Sequence, residues 1–253
     1  MKRILTALVL IPFALYAIFW APHWIFVAIV ALMATACYHE FAGIAANSGA
    51  PGPLWIGFVL GYLFLFDPGT IRLLPLVALT LALRLADLSK VLAFSTSLAL
   101  GVVYVFGAWR CAIDLRAISP FWILFALSIN WVGDIAAFYV GRTFGKHKLS
   151  PRVSPGKSWE GAVGSLVAVV AFGIAFEGRL GLGLSVPEMI GLSVLCNVAG
   201  QVGDLAESSL KRGAGLKDSG TLLPGHGGFL DRLDSSLFTM PMVFYFLQYR
   251  ALV

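Results

Sequence analysis

The sequence predicts an all-α fold, a polytopic bundle of about nine helices that cross a membrane. Composition is the first ground: 59% of the 253 residues are hydrophobic and only 12% are charged, where soluble domains carry about 25% charge. Patterning is the second, because the apolar residues form runs of roughly membrane-spanning length broken by short segments rich in Pro, Gly or charge. The third is the exception to both. From Ser208 to Ser235, lysines, arginines and aspartates surround the turn Pro224-Gly225-His226-Gly227-Gly228. That stretch is too polar to span a bilayer, so chemistry is sought there. The connections are too short for a separate soluble domain, and residues 1–253 read as one membrane domain.

In chain order, Met1-Lys2-Arg3 and the apolar run after it have the start of a signal peptide. The run is as long as a span and no A-x-A site follows, so a retained first helix is expected at 4–20. The second is expected at 24–46. Runs 54–66 and 71–86 flank Asp67-Pro68-Gly69, and 54–66 is short for a span. They form either two helices or one broken, re-entrant pair, which makes the total eight or nine. Further helices are expected at 91–109, 119–141, 160–177, 187–209 and 236–252, with a charged connection around Arg110, Asp114 and Arg116. No fixed-period repeat or low-complexity tract occurs. Cys37, Cys111 and Cys196 lack any paired or ligand spacing and are expected to be buried thiols.

A net charge of +5 raises the question of nucleic acid. In a membrane protein it is the Lys and Arg excess of cytoplasmic loops, so no nucleic-acid partner is expected. Arg142, Lys146, Lys148, Arg152 and Lys157 lie in one connection, and Lys211, Arg212, Lys217 and Arg232 in another, two helices later. Both therefore face one side, the cytoplasm. Counting back through nine spans also puts Lys2 and Arg3 there, which favours nine over eight.

Charge within a span is costly and usually faces the bundle interior. In the sixth predicted helix Asn130 and Asp134, four apart, share a face with Ala137 and Gly141; either they bind something there or Asn130 links two helices. In the eighth, Asn197, Gln201, Asp204, Ser208 and Lys211 step by four, three, four and three, one stripe from mid-membrane to the second basic loop. Near the end of the second helix, His39 and Glu40 have either a supporting role, pairing with neighbours or with Lys90, or a catalytic one.

Gly156-Lys157-Ser158 has the end of a P-loop, but Pro151 stands where that motif needs glycine and no buried strand precedes it. What remains is Lys157 and Ser158 at the head of the seventh helix, either a phosphate site or an ordinary N-cap. In the second loop Asp218, Asp231 and Asp234 accompany the cations, and Asp231 and Asp234 share a face at the start of the ninth helix. With Asp204 they have the character of a Mg²⁺ site completed by substrate phosphates. Glycines let backbone approach closely, and His226 either touches phosphate or fixes the turn. Carboxylates, cations and Gly-rich backbone at a membrane boundary point to phosphoryl or nucleotidyl transfer.

The motif Ser208-x-Leu210-Lys211-Arg212, then Lys217-Asp218-x-Gly220, then Leu223-Pro224-x-His226-Gly227-Gly228-Phe229-x-Asp231-Arg232-Leu233-Asp234 resembles the pattern of phosphatidate cytidylyltransferases, or CDP-diacylglycerol synthases. The resemblance extends to Gln201-x-Gly203-Asp204-x-x-Glu207-Ser208 and the region from Asp134 to Gly161. Residues 1–115 match only as apolar helices, a scaffold or oligomer contact, while 116–253 carry the chemistry. The family usually reads S-P-K-K-T-x-E-G; here Ser154-Pro155-Gly156-Lys157-Ser158-Trp159-Glu160-Gly161 lacks one lysine and has Ser for Thr.

The resemblance implies CTP and phosphatidate as substrates at the cytoplasmic face of a bacterial plasma membrane, CDP-diacylglycerol and pyrophosphate as products, and a homodimer. It implies Mg²⁺ on Asp204 and Asp231, with Asp234 and a second, monovalent cation such as K⁺. Lys211, Arg212, Lys217 and Arg232 would neutralise phosphates, with Asp218 and His226 beside them. Asn130, Asp134, Lys157, Ser158, Glu160, Asn197, Gln201, Ser208, Gly227 and Gly228 would line the substrates. The residues alone also leave open another CTP-dependent lipid enzyme, such as a polyprenol kinase or CDP-archaeol-type synthase, or an ion-coupled transporter using Asp134 and Asp204.

Overall fold

The computed structural model describes residues 2–50, 52, 54–222 and 227–252, and these are predominantly helical with almost no sheet. Helix α1 covers Lys2–Phe19, α2 His23–Asn47, α3 Leu54–Phe66 and α4 Leu74–Ala82. A 3-10 turn, Pro68–Leu73, joins α3 to α4, and the carboxylate of Asp67 caps it by accepting from Gly69 N at 2.9 Å. Then come α5 Val91–Gly101, a π-helical turn Val102–Gly107, and α6 Ala108–Ile118. Helix α7 is Pro120–Phe144, α8 Trp159–Leu180, α9 Val186–Gly213 and α10 Asp234–Leu252.

Among the described residues, five stretches are long and apolar enough to cross a membrane: His23–Asn47, Leu88–Ile118, Pro120–Phe144, Trp159–Leu180 and Val186–Gly213. α3 and the Pro68–Ala82 stretch are shorter. Trp20, Trp24 and Trp55, each about 70% exposed beside helix ends, suit the amphipathic boundary of a bilayer.

Two expectations need correction. The charged connection at Arg110, Asp114 and Arg116 is helix, continuous with α5 through the π turn. Arg110 is neutralised one turn on, where Nη2 lies 2.7 Å from Asp114 Oδ1, and its Nη1 donates to Leu65 O at 2.9 Å. The segment after α7 is not all loop either. Lys148–Ser150 (β1) and Ser154–Ser158 (β2) pair antiparallel with an irregular register.

The chain forms two compact units. One comprises Met1–Asp114 with Leu210–Leu233. Its core is aromatic, with the Tyr38 ring against Phe41, Phe58 and Phe106. Cys37 and Cys111 are buried free thiols there. The other unit comprises Leu115–Ser209 with Asp234–Val253. In it α7 and α8 pack along small residues: a side chain added at Gly133 would meet Ser165 Oγ, and one at Gly161 would meet the Ala137 carbonyl. Small residues at such seams let helix backbones approach closely. Cys196 is buried and free in this unit.

Candidate active site

Within the second unit the β1–β2 hairpin delivers a lysine to a carboxylate. Ser158 caps α8, its buried Oγ accepting from Gly161 N at 3.2 Å; this is how a Ser before a helix satisfies an orphan N–H. Trp159 N donates to His147 O at 2.9 Å, and Glu160 Oε1 lies 2.6 Å from His147 Nδ1, so the hairpin root is fixed to the first turn of α8. From that root Lys157 Nζ reaches Asp204 Oδ2 on α9 at 2.6 Å. Ser208 Oγ donates to the other oxygen, Asp204 Oδ1, at 3.3 Å. Asp134 on α7 is accessible and within electrostatic reach of both Asp204 and Lys157. Lys157 thus neutralises Asp204 directly, and Asp134 is a second carboxyl in the same neighbourhood.

The rest of the predicted stripe leads away from this cluster along α9. Gln201 Nε2 donates to Asn197 Oδ1 at 2.7 Å, and Asn197 Nδ2 donates to Ser165 Oγ on α8 at 2.6 Å. Asn130 turns to α10 instead, donating to Thr239 Oγ1 at 3.0 Å and Ser236 Oγ at 3.3 Å. Asn130 and Asn197 therefore tie α7 and α9 to neighbouring helices.

Within the first unit Asp231 is the centre. It sits in a 3-10 turn, Leu230–Arg232. Lys211, buried, extends Nζ to Asp231 Oδ1 at 2.5 Å. Ser219 N donates to both carboxylate oxygens at 3.1 Å, and Gly228 N donates to Oδ2 at 2.8 Å. Gly227 has φ +82, and an added Cβ would lie 3.0 Å from Asp231 Oδ2, so glycine suits both the backbone and the close approach. Burial pushes the Asp231 carboxyl up, but the Lys211 ammonium and the Gly228 and Ser219 N–H groups outweigh it and hold the carboxyl down at about 2, from an ordinary 3.8.

A depressed carboxyl contributes stability that is complete above the ordinary value and lost as pH falls through the folded one. Wild type is therefore expected to melt above Asp231→Asn by a margin that is constant from pH 7 to about 4 and narrows between about 4 and about 2. Melting curves of both proteins across that range check it.

No motif in the sequence singles out Glu40. On α2 and 3% exposed, it accepts from Ser219 Oγ at 2.8 Å, Phe229 N at 3.0 Å and Leu230 N at 2.8 Å. Lys90, one of its anticipated partners, lies 3.8 Å from Asp87. Of the remaining candidates, Arg212, Lys217, Asp218 and Arg232 are exposed, with Arg212 Nη1 donating to Leu216 O at 3.3 Å. Asp234 Oδ1 accepts from Ser235 N at 2.6 Å. His226 lies outside the described residues.

Mg²⁺ characteristically takes one or two carboxylates together with waters and substrate phosphates. Asp204 with accessible Asp134 fits that donor set, and Lys157 already marks the spot as one that holds positive charge. Asp231 fits less freely, since a cation at Oδ1 competes with Lys211. Among the described residues no group of three or more His, Cys, Asp or Glu stands ready for a metal, so any further ligands would come from water and substrate.

The family model described as "Cytidylyltransferase family" matches residues 1–250. Among curated proteins, the chain is 37% identical over 151 residues to the phosphatidate cytidylyltransferase of Bacillus subtilis, covering 58% of this chain and 56% of that protein. It is 38% identical over 144 residues to that of Staphylococcus aureus (57% and 55%), and 38% over 167 residues to that of Haemophilus influenzae (63% and 57%). The matched stretch thus spans little more than half the length of these relatives.

Proposed function

The chain belongs to the cytidylyltransferase family, and from that premise we propose that it transfers the cytidylyl group of CTP to phosphatidate, making CDP-diacylglycerol and pyrophosphate. The observation that carries the reading is the Lys157–Asp204 ion pair, made from the residue just before the first turn of α8, with Asp134 within electrostatic reach of both. The positive dipole end of α8 favours phosphate beside Lys157, while Ser158 and His147 already take the N–H groups of Gly161 and Trp159.

In the proposed reaction a phosphatidate oxygen, already anionic near neutral pH, forms a bond to the α-phosphorus of CTP. The bond from that phosphorus to the bridging oxygen breaks, and pyrophosphate leaves with the electron pair. No strong base is required; the barrier is repulsion between anions and the charge that builds on five-coordinate phosphorus. Lys157, Lys211, Arg212, Lys217 and Arg232 offset that charge. Asp204, Asp231 and Asp234 are the carboxylates that would hold Mg²⁺ in this reading, with a monovalent cation such as K⁺ as companion, and the metal would supply Lewis-acid neutralisation of the phosphates. Ser158 and Glu160 hold the loop that carries Lys157, while Gln201 and Ser208 continue the polar face of α9 from Asp204. CTP is a soluble nucleotide, so the basic loops face the cytoplasm in this reading.

The test is turnover by the purified chain in detergent with CTP, Mg²⁺ and a panel of lipids. Pyrophosphate release is expected with phosphatidate and not with diacylglycerol or polyprenol. Pyrophosphate release only with an archaeol-type lipid, or CDP released with a polyprenol in its place, would overturn phosphatidate as the acceptor.

A further inference from the structure

Glu40 is a buried carboxylate on an otherwise apolar face of α2, flanked by Cys37 and Phe41, which are also buried. Burying such a group costs free energy unless donors meet it. Three do, and all come from one short part of the chain: Ser219 Oγ and Leu230 N to Oε2, Phe229 N to Oε1. The surroundings are shaped for the carboxylate, because a Cβ on Gly220 would lie 2.4 Å from Oε1 and one on Gly228 would lie 2.6 Å from Oε2. Ser219 passes the contact on. Its Oγ gives its hydrogen to Glu40 and accepts from Asp231 N at 3.3 Å, while its own N donates to the Asp231 carboxylate. Glu40 thus binds the segment on both sides of Asp231's partners, at Ser219 and at Phe229–Leu230.

We infer that Glu40 is a positioning residue for the proposed transfer, one that touches no substrate and holds Asp231, and through it Lys211, in place from α2. This rests on the nucleotidyl-transfer reading. It gives residues 1–115 a specific part in the chemistry. A purely structural role for Glu40 would be served by an apolar side chain packed against the same helix face, since a buried ionic group seldom stabilises more than its apolar replacement. The convergence of its three donors from the Asp231 segment is what that role leaves unexplained.

The experiment uses the full chain in detergent as wild type, Glu40→Gln and Ser219→Ala. Gln retains one acceptor oxygen and sets an NH₂ donor against donors; Ser219→Ala leaves Glu40 its two backbone partners and breaks only the relay. Two readouts are taken, hydrogen exchange at 216–222 and 228–232, and kcat and KM for CTP. Glu40→Gln is expected to raise exchange at Phe229 and Leu230 and to lower kcat about tenfold or more, with KM within about twofold. Ser219→Ala is expected to lower kcat in the same way by a smaller factor, and it decides the matter should Glu40→Gln fail to fold. Exchange unchanged in Glu40→Gln, or raised exchange with wild-type kcat in both variants, overturns the inference. A wild-type chain that releases no pyrophosphate overturns the transfer reading and the positioning role with it, and the exchange data then tell that failure apart from a failure of the clamp.

Discussion

Asp204→Asn is expected to lower pyrophosphate release by at least about a hundredfold, the scale on which removing one preorganised electrostatic contact is felt in a transition state. Asn keeps the size of Asp and can still accept from Ser208 Oγ, so α9 keeps its local geometry. What it loses is the negative charge that holds Lys157 at 2.6 Å and, in the proposed site, the metal. Lys157 and Asp204 are each between a quarter and a third exposed, so the stability cost of breaking the pair is small beside the loss of rate. Kinetics and a melting curve on the same preparation check both parts. A variant with near-wild-type turnover would remove Asp204 from the mechanism.

Asp231→Asn is expected to act on both rate and fold. The Lys211–Asp231 pair is only 10% exposed at either side chain, and removing one partner of a buried pair costs about 3–5 kcal/mol. An Asn at 231 also turns an NH₂ donor toward N–H groups of Ser219 or Gly228, which a carboxylate accepts without conflict. Turnover should fall by about a hundredfold or more, because the loop cations are then misplaced as well as the carboxylate lost. A double-mutant cycle with Lys211→Met isolates the pair, and a coupling energy of at least about 1 kcal/mol is expected. Additive effects would mean that the two residues act independently.

Much of this is legible in the amino-acid sequence. The helices follow from apolar runs and their Pro and Gly punctuation, and the α9 stripe follows from helical spacing: Gln201 meets Asn197 and Ser208 meets Asp204, four residues apart as expected. What escaped were features set by distant partners. Arg110 and Asp114 read as a charged connection although their spacing suits an i,i+4 ion pair, because the acceptor of the remaining Arg110 N–H, Leu65 O, lies far away in the chain. The hairpin after α7 is too short and polar to give an alternating pattern. Glu40 carried no motif, since its partners lie at Ser219 and beyond and only folding brings them to α2. Lys157 and Asp204 each stand out in the sequence, but their direct pairing depends on how the hairpin root is tied to α8 by His147 and Glu160.

The most direct test of nucleotidyl transfer follows the α-phosphorus. With CTP labelled at that atom, phosphatidate, Mg²⁺ and the purified chain, the label should pass into an organic-extractable lipid in step with unlabelled pyrophosphate in the aqueous phase. Label that stays in water, or lipid labelled only when CTP carries its label at the γ-phosphorus, would contradict cytidylyl transfer and mark a different chemistry.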